Sequence, residues 1–201
     1  MALWNRLGIV DPVELAHEEE RISKAAALRM YEDGTLAALR PGSFAALRTI
    51  HELLFGDIYD FADKVRTVNL AKGGFRFASA LYLSSALRAV EAMPQRTFDQ
   101  TVEKYVDMNV AHPFREGNGR SSRIWLDHMF RSELGRTVDW SAIPREDYLL
   151  AMERSPVRDT EIKVLLAGAL AADLEDVTLL SRGIDASYAY EGYAAYRAAE
   201  L

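Results

Sequence analysis

The sequence predicts an all-α protein with one short β-hairpin, on three observations. Apolar residues recur at helical spacing in almost every segment. Cap residues and prolines stand where such helices should begin, and glycines where they should end. A single stretch, Asn69–Ala78, alternates with period two around Gly73-Gly74. With 201 residues and no repeats, low-complexity tracts or linkers, one domain spanning residues 1–201 is expected.

Asp11-Pro12 supplies an N-cap and a proline at the first helical position for a helix over Val13–Tyr31, ended by Gly34. Ser43 caps a second through Leu54, with Leu47, Ile50, Leu53 and Leu54 on its apolar face, and Gly56 breaks it. The Phe75-Arg76-Phe77 alternation is too short for a core sheet, so the hairpin is expected to be small and exposed. A helix over Ser79–Ala92 stops before Pro94, and Thr97 with Gln100 forms a capping box for Phe98–Ala111. Asn118–Leu134 is helical and carries Ile124, Trp125, Leu126, Met129 and Phe130. Pro144 starts a helix through Arg154, and Pro156 separates it from Asp159–Leu170. Asp173–Gly183 is a short helix, and Asp185–Leu201 a last one rich in Ala and Tyr.

The 24 basic and 30 acidic residues leave a net charge of −6. Such a chain is poorly suited to general nucleic-acid binding, so any phosphate affinity must be local. The absence of cysteine excludes disulfides, thiol nucleophiles and Cys-based zinc sites, and fits the cytoplasm, where the protein is expected. The N-terminus lacks the apolar core of a signal peptide, and no apolar run approaches the ~18 residues of a membrane span.

The chemistry concentrates in His112-Pro113-Phe114-Arg115-Glu116-Gly117-Asn118-Gly119-Arg120-Ser121-Ser122-Arg123. Helix N-termini favour negative charge, yet this one opens with Arg120 and Arg123, each opposed by the macrodipole at ~0.3–1 kcal/mol. That cost makes sense if an anion binds there. Gly117 and Gly119 allow the backbone to form an anion nest. His112 is either a structural histidine or a base whose neutral imidazole accepts a hydroxyl proton. Glu116 is either a solvated loop acid or a Mg²⁺ ligand, since Mg²⁺ takes one or two carboxylates and completes its shell with phosphate and water. Neither a P-loop nor a His-Glu-x-x-His zinc motif is present. His17, His51 and His128 lack metal-ligand spacing and read as structural or surface residues.

This stretch closely resembles the Fic signature, His-x-Phe-x-Asp/Glu-Gly-Asn-Gly-Arg-x-x-Arg, with every position filled. Lys72-Gly73-Gly74-Phe75-Arg76-Phe77 is similar to the hairpin flap of Fic domains, and residues from about 44 to 156 fit the Fic helical core. The resemblance implies a protein adenylyltransferase that moves AMP from ATP to a Tyr, Ser or Thr hydroxyl of a target protein. It makes His112 the base and Glu116 the Mg²⁺ ligand. Gly117, Asn118, Gly119 and Arg120 would cradle the phosphates, with Phe114 buried beneath the loop. Arg123 would hold the γ-phosphate, Lys72 and Gly73 of the flap would cover the nucleotide, and Tyr148 would line the adenine pocket. The flap would align the target by strand addition. Relatives act on proteins such as type II topoisomerases, so a topoisomerase subunit is one target the resemblance offers. Self-association through exposed helix faces is left open.

Ser187-Tyr188-Ala189-Tyr190-Glu191-Gly192 is similar to the Fic inhibitory pattern, Ser/Thr-x-x-x-Glu-Gly/Asn. It lies within the expected last helix, placing an inhibitory helix at about residues 185–199. Ser187 and Glu191 fall one helical turn apart on one face, and Glu191 would pair with Arg123 in place of the γ-phosphate. Tyr188 is the candidate for self-modification that would keep this helix from docking again; packing against the core is its alternative role. Two other functions stay open: removal of AMP from modified proteins, and non-catalytic nucleotide binding by an interaction protein.

Overall fold

The computed structural model describes residues 2–72 and 75–201. The Gly73-Gly74 turn and its expected nucleotide contact lie outside the described residues. Helix α1 (Pro12–Glu32) begins where the Asp11 carboxylate accepts the N–H groups of Val13 and Glu14, and α2 (Phe44–Phe55) where the Ser43 hydroxyl accepts that of Ala46. Strand β1 (Ala71–Lys72) pairs antiparallel with β2 (Phe75–Arg76), Ala71 opposite Arg76 and Lys72 opposite Phe75. A 3₁₀ turn (Ala80–Tyr82) leads into α3 (Leu83–Ala92), so the helix expected from Ser79 starts about a turn later. Then come α4 (Phe98–Ala111), α5 (Asn118–Leu134), α6 (Arg145–Arg154), α7 (Thr160–Gly168) and α8 (Val177–Ala189). The chain closes with a 3₁₀ turn at Ala198–Glu200.

Helix α5 is the axis of the molecule. It packs against α2, α4 and α8, while α1 lies across α2 and α8. Trp125, Leu126, Met129 and Phe130 are fully enclosed, as the apolar pattern predicts. So are Arg120, Arg123, Asp127 and His128, because neighbours crowd α5 on every side. On α2 the expected face holds for Leu47, Ile50 and Leu54, but Leu53 points to solvent. The capping box of α4 closes one residue early: the Thr97 hydroxyl accepts from Gln100 N–H, while Gln100 Oε1 accepts from Arg96 N–H.

Two expectations are corrected. A second strand pair exists, β3 (Thr137–Val138) with β4 (Leu170–Ala171), so the helix expected to reach Leu170 stops at Gly168. Buried Asp127 organises this corner, accepting from Val138 N–H and the Thr137 hydroxyl, each at 2.8 Å. The last helix expected over 185–201 does not exist as such. Gly183 sits inside α8 rather than ending a helix, and α8 itself stops at Ala189. Gly192 adopts φ +92°, and Tyr193 N–H bonds back to Tyr188 O at 3.2 Å, a left-handed helix stop. Glu191 therefore lies in the terminating turn. No helix among the described residues is long and apolar enough to cross a membrane.

Candidate active site

Helix α4 delivers His112 to the centre of the site. His112 caps the helix in the left-handed conformation, φ 50°, which is sparsely populated outside glycine. Its ring stacks on Phe77, just beyond β2, with centroids 3.6 Å apart. Nδ1 lies 3.3 Å from Asn109 O. A carbonyl only accepts, so Nδ1 carries the proton and Nε2 keeps the lone pair a base requires. Burial pushes the imidazole down to about 4, so it is neutral at pH 7.

The loop after His112 is held from within. Phe114 is fully buried and stacks on His51, 3.8 Å between centroids. The Asn118 side chain closes a ring with it: Phe114 N–H donates to Oδ1 and Nδ2–H to Phe114 O, each at 2.8 Å. The phosphate role expected of Asn118 is thus open only to its backbone. His51 Nε2 meets Glu116 O at 2.9 Å, and its Nδ1 accepts Asp63 N–H at 3.0 Å. The structural reading of His51 holds, and it supports the motif itself. Gly117 adopts φ +74°, and a Cβ there would lie 2.4 Å from the Phe55 ring. No other residue type fits this N-cap of α5.

The two arginines are both enclosed and both engaged. Arg123 Nε donates to the Ser187 hydroxyl, and Nη2 to Ser187 O and to Glu191 Oε1, all at 2.7 Å. Arg120 Nε is 3.0 Å from Glu191 Oε2 but off line for a hydrogen bond; its Nη1 donates to Glu19 Oε1 at 2.6 Å. One carboxylate, Glu191, therefore bridges both cations at the N-terminus of α5. Burial pushes the Glu191 carboxyl up, but Arg123 and Arg120 outweigh it and hold the group below its ordinary value. Gly119 makes the approach possible, since a Cβ there would stand 2.2 Å from Glu191 Oε1.

Beside this bridge runs a cleft of about 310 Å³ between α1 and the flap, with Lys72, Glu116, Glu191 and Tyr193 on its polar wall. Glu116 is half-exposed there, and Oε1 accepts Gly117 N–H. Tyr148 is placed differently from an open adenine pocket. It is buried, its ring stacks on Tyr190 at 4.6 Å, and its hydroxyl meets that of Tyr105 at 2.5 Å. Tyr188 is buried under Arg120 and Lys24, with a hydroxyl that faces Ser23 without forming a hydrogen bond. In the docked structure Tyr188 packs against the core.

Three members of the site carry no motif. Glu19 on α1 is buried and accepts from Arg120, from the Tyr193 hydroxyl at 2.7 Å and from the Tyr59 hydroxyl. A sequence signal for it exists: Leu15, Glu19, Ser23, Ala27 and Met30 follow helical spacing, which places an acid on a core stripe. Arg66 binds the backbone of His112, and Tyr193 covers Arg120 at 4.5 Å from its ring. Neither is marked by spacing.

Residues 41–130 match the Fic/DOC family model. The protein adenylyltransferase VbhT of Bartonella schoenbuchensis is 30% identical over 200 residues, covering 92% of this chain; the chain spans 39% of that protein's length. Among solved structures, BepC of Bartonella tribocorum, crystallised with AMPPNP, superposes with a TM-score of 0.73 at 20% identity, covering 86% of this chain and 94% of its own. The N-terminal Fic domain of a VirB-translocated effector of Bartonella quintana, solved with bound ADP, gives 0.74 at 22% identity over 89% and 94%.

Proposed function

We propose, from the premise that this chain carries a Fic domain of the Fic/DOC family, that it is a protein adenylyltransferase held off by its own C-terminal segment. The observation that carries this reading is the Glu191 carboxylate bridging Arg120 and Arg123 at the N-terminus of α5. That is where two buried cations and unpaired helix N–H groups would receive phosphate. An internal anion now fills it.

In the reaction, a target hydroxyl oxygen attacks the α-phosphorus of ATP. The bond from that phosphorus to the bridging oxygen breaks, pyrophosphate leaves, and His112 Nε2 takes the hydroxyl proton. A neutral base suits the step, and burial keeps His112 neutral. Arg123, freed from Ser187 and Glu191, orients the triphosphate, and Arg120 with the α5 N-terminus stabilises the charge that develops on it. Among the described residues no three acids or histidines converge as a metal site, so Mg²⁺ would be held by Glu116 jointly with phosphate oxygens. When bound it would neutralise the departing pyrophosphate. Lys72 closes the cleft from the flap side. Self-modification of Tyr188 would have to follow undocking of α8, because the docked hydroxyl is buried.

The test is transfer of α-labelled ATP to lysate proteins by the wild type and by Glu191→Gly. Charge-assisted contacts worth about 1.5–3 kcal/mol correspond to roughly ten- to hundredfold in rate, and activation of that order is expected. Equal activity of the two would remove the inhibitory role. Loss of label from a premodified protein would assign the reverse reaction, and no labelling at all would leave nucleotide binding alone.

A further inference from the structure

Arg66 is a buried cation with no carboxylate partner among the described residues. It precedes the flap and lies behind His112. Its guanidinium donates only to main-chain carbonyls: Nε to His112 O at 2.7 Å, Nη1 to Val68 O at 2.6 Å, and Nη2 to Ala78 O at 2.5 Å and Ala111 O at 3.1 Å. Its own N–H reaches Pro113 O at 2.8 Å. These acceptors come from three places. Ala111, His112 and Pro113 lie at the end of α4 and just beyond it, Val68 precedes the flap, and Ala78 follows it.

The consequence is mechanical. The end of a helix leaves carbonyls unpaired and carries partial negative charge, so a cation is favoured there. His112 sits in a left-handed conformation that costs a non-glycine residue about 1–2 kcal/mol, and its carbonyl is fixed by Arg66 Nε. Its ring is fixed by Phe77, the neighbour of Ala78. Ala78 N–H also donates to Val110 O at 3.0 Å, tying the flap root to α4 directly. Backbone and ring of the histidine are therefore held by one guanidinium and the chain it anchors.

We infer that Arg66 is the positioning residue of this site, a staple that sets the conformation of His112 and both roots of the flap so that base and flap move as one unit. Lysine cannot replace it fully, because a single ammonium cannot span three segments with a planar fork. The charged groups that face His112 are Arg66, Lys72 and Glu191. Of these, Arg66 and Lys72 oppose the imidazolium and Glu191 favours it. The role assigned to His112 rests on the transferase reading above, whereas the staple itself does not.

The experiment compares wild type, Arg66→Lys and Arg66→Gln as full chains, each with and without Glu191→Gly. The first readout is the titration of the His112 imidazole by NMR. Arg66→Gln should raise its midpoint by about half a unit or more, and Arg66→Lys should keep it near the wild-type value. The second is amide exchange. Both variants should accelerate exchange at Phe77 and Ala78 while leaving the core amides of α5 protected. In the Glu191→Gly background, Arg66→Gln should lower kcat about tenfold or more with KM for ATP changed less than about twofold, since positioning of the base is lost and phosphate binding is not. An unmoved titration with unchanged exchange at 77–78 would overturn the inference. Uniform loss of protection across the molecule in Arg66→Lys would also overturn it, making Arg66 an ordinary core residue. If Glu191→Gly alone shows no transfer, the transferase reading fails, while titration and exchange still decide the staple.

Discussion

At the scale of single residues, burial shifts the two histidines of the site, whereas the arginines beside it shift Glu191. His51 and His112 are both pushed down to about 4, each chiefly by burial. A histidine whose folded pKa lies below its unfolded one is neutral in the native state, and the unfolded chain takes up the proton first as pH falls. Stability from these two is therefore complete above about 6.5 and declines as pH drops towards 4. The melting midpoint should fall measurably between pH 7.5 and 5. Glu191 has the same sign in a lower pH window. Its folded value is depressed, so its contribution persists until pH falls below the ordinary carboxylate range. The ratio of Glu191→Gly to wild-type activity should then be the same at pH 7.5 and 5.5. A ratio that collapses at 5.5 would mean that a group other than Glu191 sets the inhibition.

At the scale of elements, α8 is the part that must move, and its packing is imperfect. Gly183 lies mid-helix, where glycine costs about 0.5–1 kcal/mol relative to alanine. A Cβ there would meet Trp140 Cδ1 at 3.7 Å and Val138 O at 3.8 Å, ordinary contact distances. Gly183→Ala should raise the melting midpoint by a few degrees and lower basal transfer, read by the same labelling assay. A stabilised protein with unchanged basal transfer would uncouple α8 from the lock. Gly183 also shows where sequence reading stops. Its composition marked a helix end, yet α8 runs through it because Trp140 and Val138 cover that face. The true end is set by Gly192, and the chain beyond it is held against α1 by Glu20, which accepts the N–H groups of Ala195 and Tyr196. The strands β3 and β4 are two residues each and leave no period to read. The motif, by contrast, was legible residue by residue, because chemistry fixes its types and spacing. Arg66 was not, since its partners are backbone carbonyls, and Glu19 showed only as an acid on the core stripe of α1, its guanidinium partner lying far along the chain.

At the scale of the whole molecule, the lock is continued by a clamp between α1 and the residues after Gly192. Lys24 Nζ lies 2.9 Å from Glu20 Oε1 and from Asp185 Oδ1, and donates to Tyr196 O at 2.7 Å. Glu20 accepts the N–H groups of Ala195 and Tyr196, and Asp185 that of Ala198. Burial alone would push the Glu20 carboxyl up; Lys24 and the two backbone N–H groups hold it below its ordinary value instead. One ammonium thus ties α1, α8 and the closing segment together, next to the Glu19 carboxylate that receives Tyr193 and Arg120. Removing one partner of a buried ion pair costs about 3–5 kcal/mol, and loss of Lys24 leaves buried Glu20 uncompensated while Asp185 still reaches solvent. Lys24→Met, which keeps the apolar stem, should lower the melting midpoint, speed amide exchange at Ala195, Tyr196 and Ala198, and raise basal transfer. Glu191→Gly should raise transfer without that change in exchange. If both act on one docking equilibrium, adding Lys24→Met to Glu191→Gly should bring little further activity, because the lock is already open. Multiplicative activation in the double variant would instead mean that the closing segment restrains the site by a route separate from Arg123.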